Sequence, residues 1–373
     1  MVDYFFVIFV MLSIYNIKIN GPNNFFSDYM DIDNTNSIKG IFVWLIIFCH
    51  KTGYGNFKNY LFFGITQNFG QKVVSMFLFY SGFGIYESIK KSGYNYVKTL
   101  PIKGIILFIK SQLIILMFLA TNIFIFKRKV SFRQYALSVI FKSGLGNSNW
   151  FAFTIIALYL YSYVSFRFLK HKFFFGIIIL SFLSFFHVKF VLNYYYQKQF
   201  YTVDTILCFL VGLFYSLCQK YFDKFLLKND ICYYGIISII IFLFYKTYNN
   251  YTLIKISMKN ALFALLIISI TIKVKFNNEF LKFLNSHSYS IYLLQRLVMW
   301  IVIKKRILQN HNFIQISFEF TSIIFISTLF DKYTFFVDKL LKKSYKKIPN
   351  RKYIIFNNIN INNQEKNIIN FEN

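Results

Sequence analysis

Apolar residues fall in long blocks along this chain, separated by short polar segments. "IILFIKSQLIILMFLATNIFIF" (105–126), "FFFGIIILSFLSFF" (173–186) and "YYGIISIIIFLFY" (233–245) show the pattern. A helix rises about 1.5 Å per residue, so roughly 20 apolar residues cross a hydrocarbon core of about 30 Å. The blocks predict membrane helices near 3–18, 39–56, 69–88, 104–126, 150–168, 173–191, 202–219, 231–247, 259–274, 287–303 and 313–331. The fold class is therefore all-α, a polytopic transmembrane bundle of about eleven helices. The segment 131–146 reads either as an interfacial helix or as a loop.

Composition supports this. Only 15% of the 373 residues are charged, too few to cover a soluble surface of this size, and 56% are hydrophobic. The net charge of +28 raises the question of nucleic acid. Its Lys and Arg sit between apolar blocks, where they face headgroups and cytoplasm, so nucleic-acid binding is not expected. Cys49, Cys208, Cys218 and Cys232 show no ligand spacing, and no metal site is predicted. The N-terminus lacks a basic n-region and a small-residue cleavage site, which reads as a retained helix. Loop cations place the C-terminal tail in the cytoplasm, "KRK" at 127–129 and "KKR" at 304–306 opposing the bias. Three regions follow: 1–37, an N-terminal helix and connector; 38–337, the membrane domain; and 338–373, a basic, Asn-rich tail expected to be disordered.

The candidate chemistry begins in "KGIFVWLIIFCH", Lys39 to His50. Eleven residues of helix turn about 1100°, which brings Lys39 and His50 onto nearly one face, about 16 Å apart. Lys39 would stand at the inner interface and His50 near mid-membrane, where an ionisable group usually faces a protein interior or an aqueous cavity. A histidine is suited to act as a general base, taking a proton from an attacking hydroxyl. The plainer reading is a hydrogen-bonded histidine ending a short helix. Both stand at this point.

The stretch resembles the signature of the acyltransferase 3 family of integral-membrane acyltransferases. Lys39 stands where arginine is usual and His50 matches the family's essential histidine. "FLFYSGFGIYES" (77–88) is similar to the next motif through Ser81, Gly82 and Phe83. "NWFAFTIIALYLYS" resembles the family's Trp-Phe helix start through Trp150 and Phe151. "SYSIYLLQRLVMW" resembles a late segment through Ser290, Tyr292 and Leu293, with Gln295 in place of a second histidine. The resemblance implies a ten-helix core plus one extra N-terminal helix. It further implies O-acetylation of a cell-surface carbohydrate, acetyl-CoA as co-substrate, and a surface glycan or lipid-linked sugar as acceptor at the bacterial plasma membrane. Lys98 and Lys103 only loosely echo the family's basic motif for the donor. A transporter, flippase or polymerase of surface polysaccharide would share the many helices. No internal repeat and no long loop favours one.

Other residues have two readings. Arg296 and Glu319 are predicted in adjacent helices, either as a buried ion pair or as acceptor-binding groups. Glu87 falls at an inner helix end, solvated or assisting His50 and the donor. Ser81, beside Gly82, reads as a helix-packing position rather than a nucleophile.

Overall fold

The computed structural model describes residues 2–54, 60–67, 69–168, 173–192, 204–248 and 252–346. The chain folds as helices, with one two-stranded ribbon among the described residues. Five helices are long and apolar enough to cross a membrane: Tyr94–Ile125, Phe173–Leu192, Asp230–Thr247, Leu253–Lys273 and Asn312–Leu341. A multi-pass membrane protein follows from these five. The remaining long helices carry more polar positions, and so fall outside that set.

In chain order, α1 (Val2–Ile14) leads to strand β1 (Ile17–Ile19), α2 (Ile32–Thr52), α3 (Leu61–Thr66), α4 (Gly70–Ser92) and α5 (Tyr94–Val97). Then come α6 (Leu100–Ala120) with a π-helical turn over Thr121–Ile125, α7 (Phe132–Val139), α8 (Trp150–Arg167), and α9 (Phe173–Phe186) with a second such turn over His187–Leu192. The chain ends with α10 (Leu207–Leu226), α11 (Asp230–Tyr248), α12 (Leu253–Lys273), β2 (Val274–Phe276), α13 (Glu279–Ser286), α14 (Ser288–Lys304) and α15 (Asn312–Lys346). The segment left open at 131–146 contains a true helix, α7, held by a capping box between Ser131 and Gln134.

Two boundary differences from the sequence reading matter most here. Helix α2 begins at Ile32, not near residue 39, because Asp31 caps it by accepting from the Asn34 amide at 2.7 Å. In its first turns Asn34, Thr35 and Ser37 are buried, while Asp33 stays exposed. Asn34 accepts from the Phe276 amide at 2.9 Å and donates to the Tyr29 carbonyl at 2.6 Å, while Ser37 accepts from the Asn278 amide at 3.2 Å. Lys39 therefore sits seven residues inside the helix and does not open it. The second difference is α15, which continues to Lys346, into the region expected as tail; residues 347–373 lie outside the described residues.

Strands β1 and β2 pair antiparallel, Lys18 opposite Lys275, and tie the N-terminal segment to the core. Close helix contacts fix the centre of the bundle. A Cβ on Gly40 would strike the Leu281 carbonyl of α13, and Cβ atoms on Gly82 and Gly212 would strike backbone where α4 crosses α10. Gly82 belongs to the "SGF" motif, so that motif's glycine serves packing. On the other side of α2, Trp44 stacks on Phe320 of α15 at 4.7 Å between centroids and meets Phe9 of α1 at 5.0 Å. These contacts hold both faces of α2 and position its C-terminal turn.

Candidate functional site

That turn holds His50. The helix stops at Thr52, with Gly53 donating back to the His50 and Lys51 carbonyls. His50 thus lies in the last turn, close to the helix end rather than midway along it. It opens into a pocket of about 500 Å³ lined by Cys49, His50, Thr52, Gly53, Tyr54, Gln67 and Arg296.

Helix α14 supplies the facing wall. The His50 and Tyr292 rings lie 6.1 Å apart, and the Gln295 side chain and the Arg296 charge both act on the imidazole. Three buried polar atoms here have no hydrogen-bond partner: His50 Nδ1, Gln295 Oε1 and Arg296 Nε. Buried polar atoms are normally satisfied, and a cluster of unsatisfied ones around an open pocket matches a place where a polar ligand binds. Behind Tyr292 stands Phe151 of α8 at 4.8 Å, with Trp150 beside it at 6.2 Å.

The structure therefore brings together His50, Tyr292, Gln295 and Arg296, with Trp150 in support. It does not bring in the others. Lys39 lies three turns down α2, its ammonium 5.9 Å from the Tyr80 ring centre on α4. Ser81 is next to Tyr80, at the same level. Glu87 is 17 residues along α4 from Gly70, about 25 Å by helical rise, whereas Gly70 lies against Cys49 at the pocket. There Glu87 pairs with Lys90 and accepts from the Ser216 hydroxyl at 2.7 Å, so it is neither simply solvated nor near His50. Lys98 lies 4.5 Å from the Tyr94 ring centre; Lys103 lies 4.3 Å from that of Tyr96 and donates to its hydroxyl at 3.2 Å.

One predicted pairing is corrected. Glu319 does not meet Arg296; it accepts from Lys51 Nζ at 2.6 Å, both side chains fully buried. Lys51 lies within the predicted span 39–56, one residue past His50; from the last turn of α2 it reaches inward to α15, and that leaves the Arg296 guanidinium to the pocket. A lone carboxylate in an apolar helix demands a cation, and the sequence offered two: Arg296 and Lys51. Cys49, Tyr54 and Gln67 were not foreseen as pocket residues, and only adjacency to His50 could have marked the first.

Compared with family models, curated proteins and solved structures, the chain finds no match in any of the three.

Proposed function

We propose that the protein is a membrane acyltransferase that O-acetylates a cell-surface carbohydrate from acetyl-CoA, with His50 as the base. The observation that carries this reading is the open pocket in which an imidazole, an amide and a guanidinium meet with buried atoms unsatisfied. The ordered motif resemblance gives it its chemical class. In this proposal α2, α4, α8, α10 and α14 cross the membrane beside the five more apolar helices, and α1 is the extra helix.

The acceptor hydroxyl enters the pocket and His50 takes its proton as the oxygen attacks the thioester carbonyl. The charge that develops on the carbonyl oxygen faces Arg296, a fixed cation in a site walled by protein. Collapse breaks the carbon–sulfur bond and releases the thiol of coenzyme A, which recovers the proton. Gln295 and Tyr292 orient the sugar or the imidazole. Lys98 and Lys103 are assigned to the phosphates of the donor, and Lys39 to the path between that end and His50.

The test is to express the wild type and His50→Asn at equal membrane levels in a strain lacking the gene, then measure ester-linked acetyl on purified surface glycan by mass spectrometry. General-base removal is expected to lower transfer by about 10²–10⁴-fold. Unchanged acetyl in the variant would mean that His50 merely ends a helix.

A further inference from the structure

Away from the His50 pocket, three polar side chains meet where the start of α10 packs on α12. Asp204 and Thr205 lie in the turn that leads into α10, and Asn260 stands on α12. All three are 0% exposed. The Asn260 amide nitrogen donates to the Asp204 backbone carbonyl at 3.4 Å, which sets α12 against that turn. Yet both carboxylate oxygens of Asp204, the Thr205 hydroxyl and the Asn260 amide oxygen have no hydrogen-bond partner. The Asn260 amide and the backbone amide of Asp204 act on the carboxylate, but neither in hydrogen-bonding geometry. Cys208, one turn along α10 and within reach of Ser75 on α4, feels the same negative charge.

Four unpartnered oxygens thus gather at one helix junction. A buried carboxylate has to be paired, protonated or bound to a cation, because its loss of water is otherwise uncompensated. Lys259 acts on Asp204 without hydrogen-bonding to it, and acts on Lys72 as well. One charged and two neutral oxygen donors suit a hard cation. The charge decides the valence. A single carboxylate balances one positive charge, and the nearby Lys259 penalises a second. Cysteine spacing, which argued against a transition metal, does not bear on an all-oxygen site.

We propose that Asp204, Thr205 and Asn260 bind a monovalent metal cation where α10 meets α12. Asp204 supplies the charge, and Thr205 and Asn260 supply neutral oxygens. The ion joins the turn before α10 to α12. Nothing in this site depends on the acyltransferase reading.

Equilibrium binding of radioactive sodium to the full-length protein in phosphatidylcholine nanodiscs tests this, with choline chloride holding the ionic strength constant. One saturable site per chain is expected, displaced by unlabelled sodium chloride and not by choline chloride. The melting temperature in the same buffers should rise by about 2 °C for each tenfold increase in sodium above saturation. Asp204→Asn keeps the shape and removes the charge. It should abolish both effects, yet melt no lower than wild type in choline chloride. Thr205→Val removes one neutral oxygen and leaves the carboxylate in place, so it serves even if Asp204→Asn does not fold. It should weaken sodium binding at least fivefold. Binding unchanged by either substitution would place the ion elsewhere and overturn the proposal. So would the absence of any sodium-specific binding or stabilisation, the result expected if Asp204 simply holds a proton.

Discussion

His50 and His287 both belong to the surroundings of α14, and the protein treats them in opposite ways. His287 precedes the helix and its Nδ1 lies 2.7 Å from Asp331 of α15. The same carboxylate accepts from Ser290 at 2.6 Å and from Lys110 of α6 at 3.2 Å, and Lys110 reaches Asp338 at 3.6 Å. Three helices are tied by one saturated cluster. About two turns along α14, at Gln295, the imidazole of His50 keeps an unpartnered nitrogen beside an unpartnered amide oxygen and guanidinium nitrogen. Saturated buried networks rigidify a fold, whereas half-satisfied ones cost stability and persist where something else must bind. At these two histidines, hydrogen-bond saturation and not residue type separates scaffold from site.

The strongest way to break this comparison lies one residue from His50. Lys51 and Glu319 form a fully buried pair, so Lys51→Met strands a carboxylate in apolar surroundings. Loss of one partner is expected to cost about 3–5 kcal/mol, while Lys51→Met with Glu319→Leu together should be near neutral. Thermal unfolding of the detergent-purified protein measures both. Were Lys51→Met as stable as wild type, the pair would not be scaffold, and the contrast with the pocket would fail.

A smaller effect is expected at the saturated cluster. Asp331→Asn keeps the shape but removes the charge that three donors share, at an expected total cost of about 1.5–3 kcal/mol. The variant should melt earlier, yet leave the proposed acetyl transfer per folded molecule unchanged. A specific loss of transfer at unchanged stability would move His287 and Asp331 from scaffold to chemistry.

The sequence carried the helical class, because apolar blocks are local signals; that His50 meets Tyr292 is visible only in the fold. Nor did the sequence carry the start of α2. Asn34 and Ser37 read as loop residues, and only their partners Phe276 and Asn278, over 240 positions away, make them helical and buried. The same limit misassigned Glu319. Charge balance demanded a cation, but which of two nearby candidates met it depended on the faces that α2 and α14 turn toward α15. Length and composition mark five of the helices as membrane-crossing; the other long helices carry polar positions, which helices facing protein tolerate and lipid-facing ones do not.

The smallest expected effect sharpens the contrast between buried and exposed charge. In the ribbon, Lys275 pairs with Asp28 and with Asp31, the latter at 3.0 Å, and Asp28 is 55% exposed. Burial disfavours the ammonium, but the hydrogen bonds and charges of the two aspartates outweigh it and hold Lys275 above the ordinary lysine range. A raised lysine pKa adds stability that is fully present below the unfolded value, about 10.5, and is lost as pH climbs through the folded one. Solvent screening limits such a pair to about 0.2–1 kcal/mol. Lys275→Ala should therefore lower the melting temperature slightly at pH 8 and converge on wild type as the pH climbs past the raised folded value. Melting curves at both values decide it: a gap at pH 8 as large as that of Lys51→Met would mean that exposed pairs in this ribbon bear as much of the fold as buried ones.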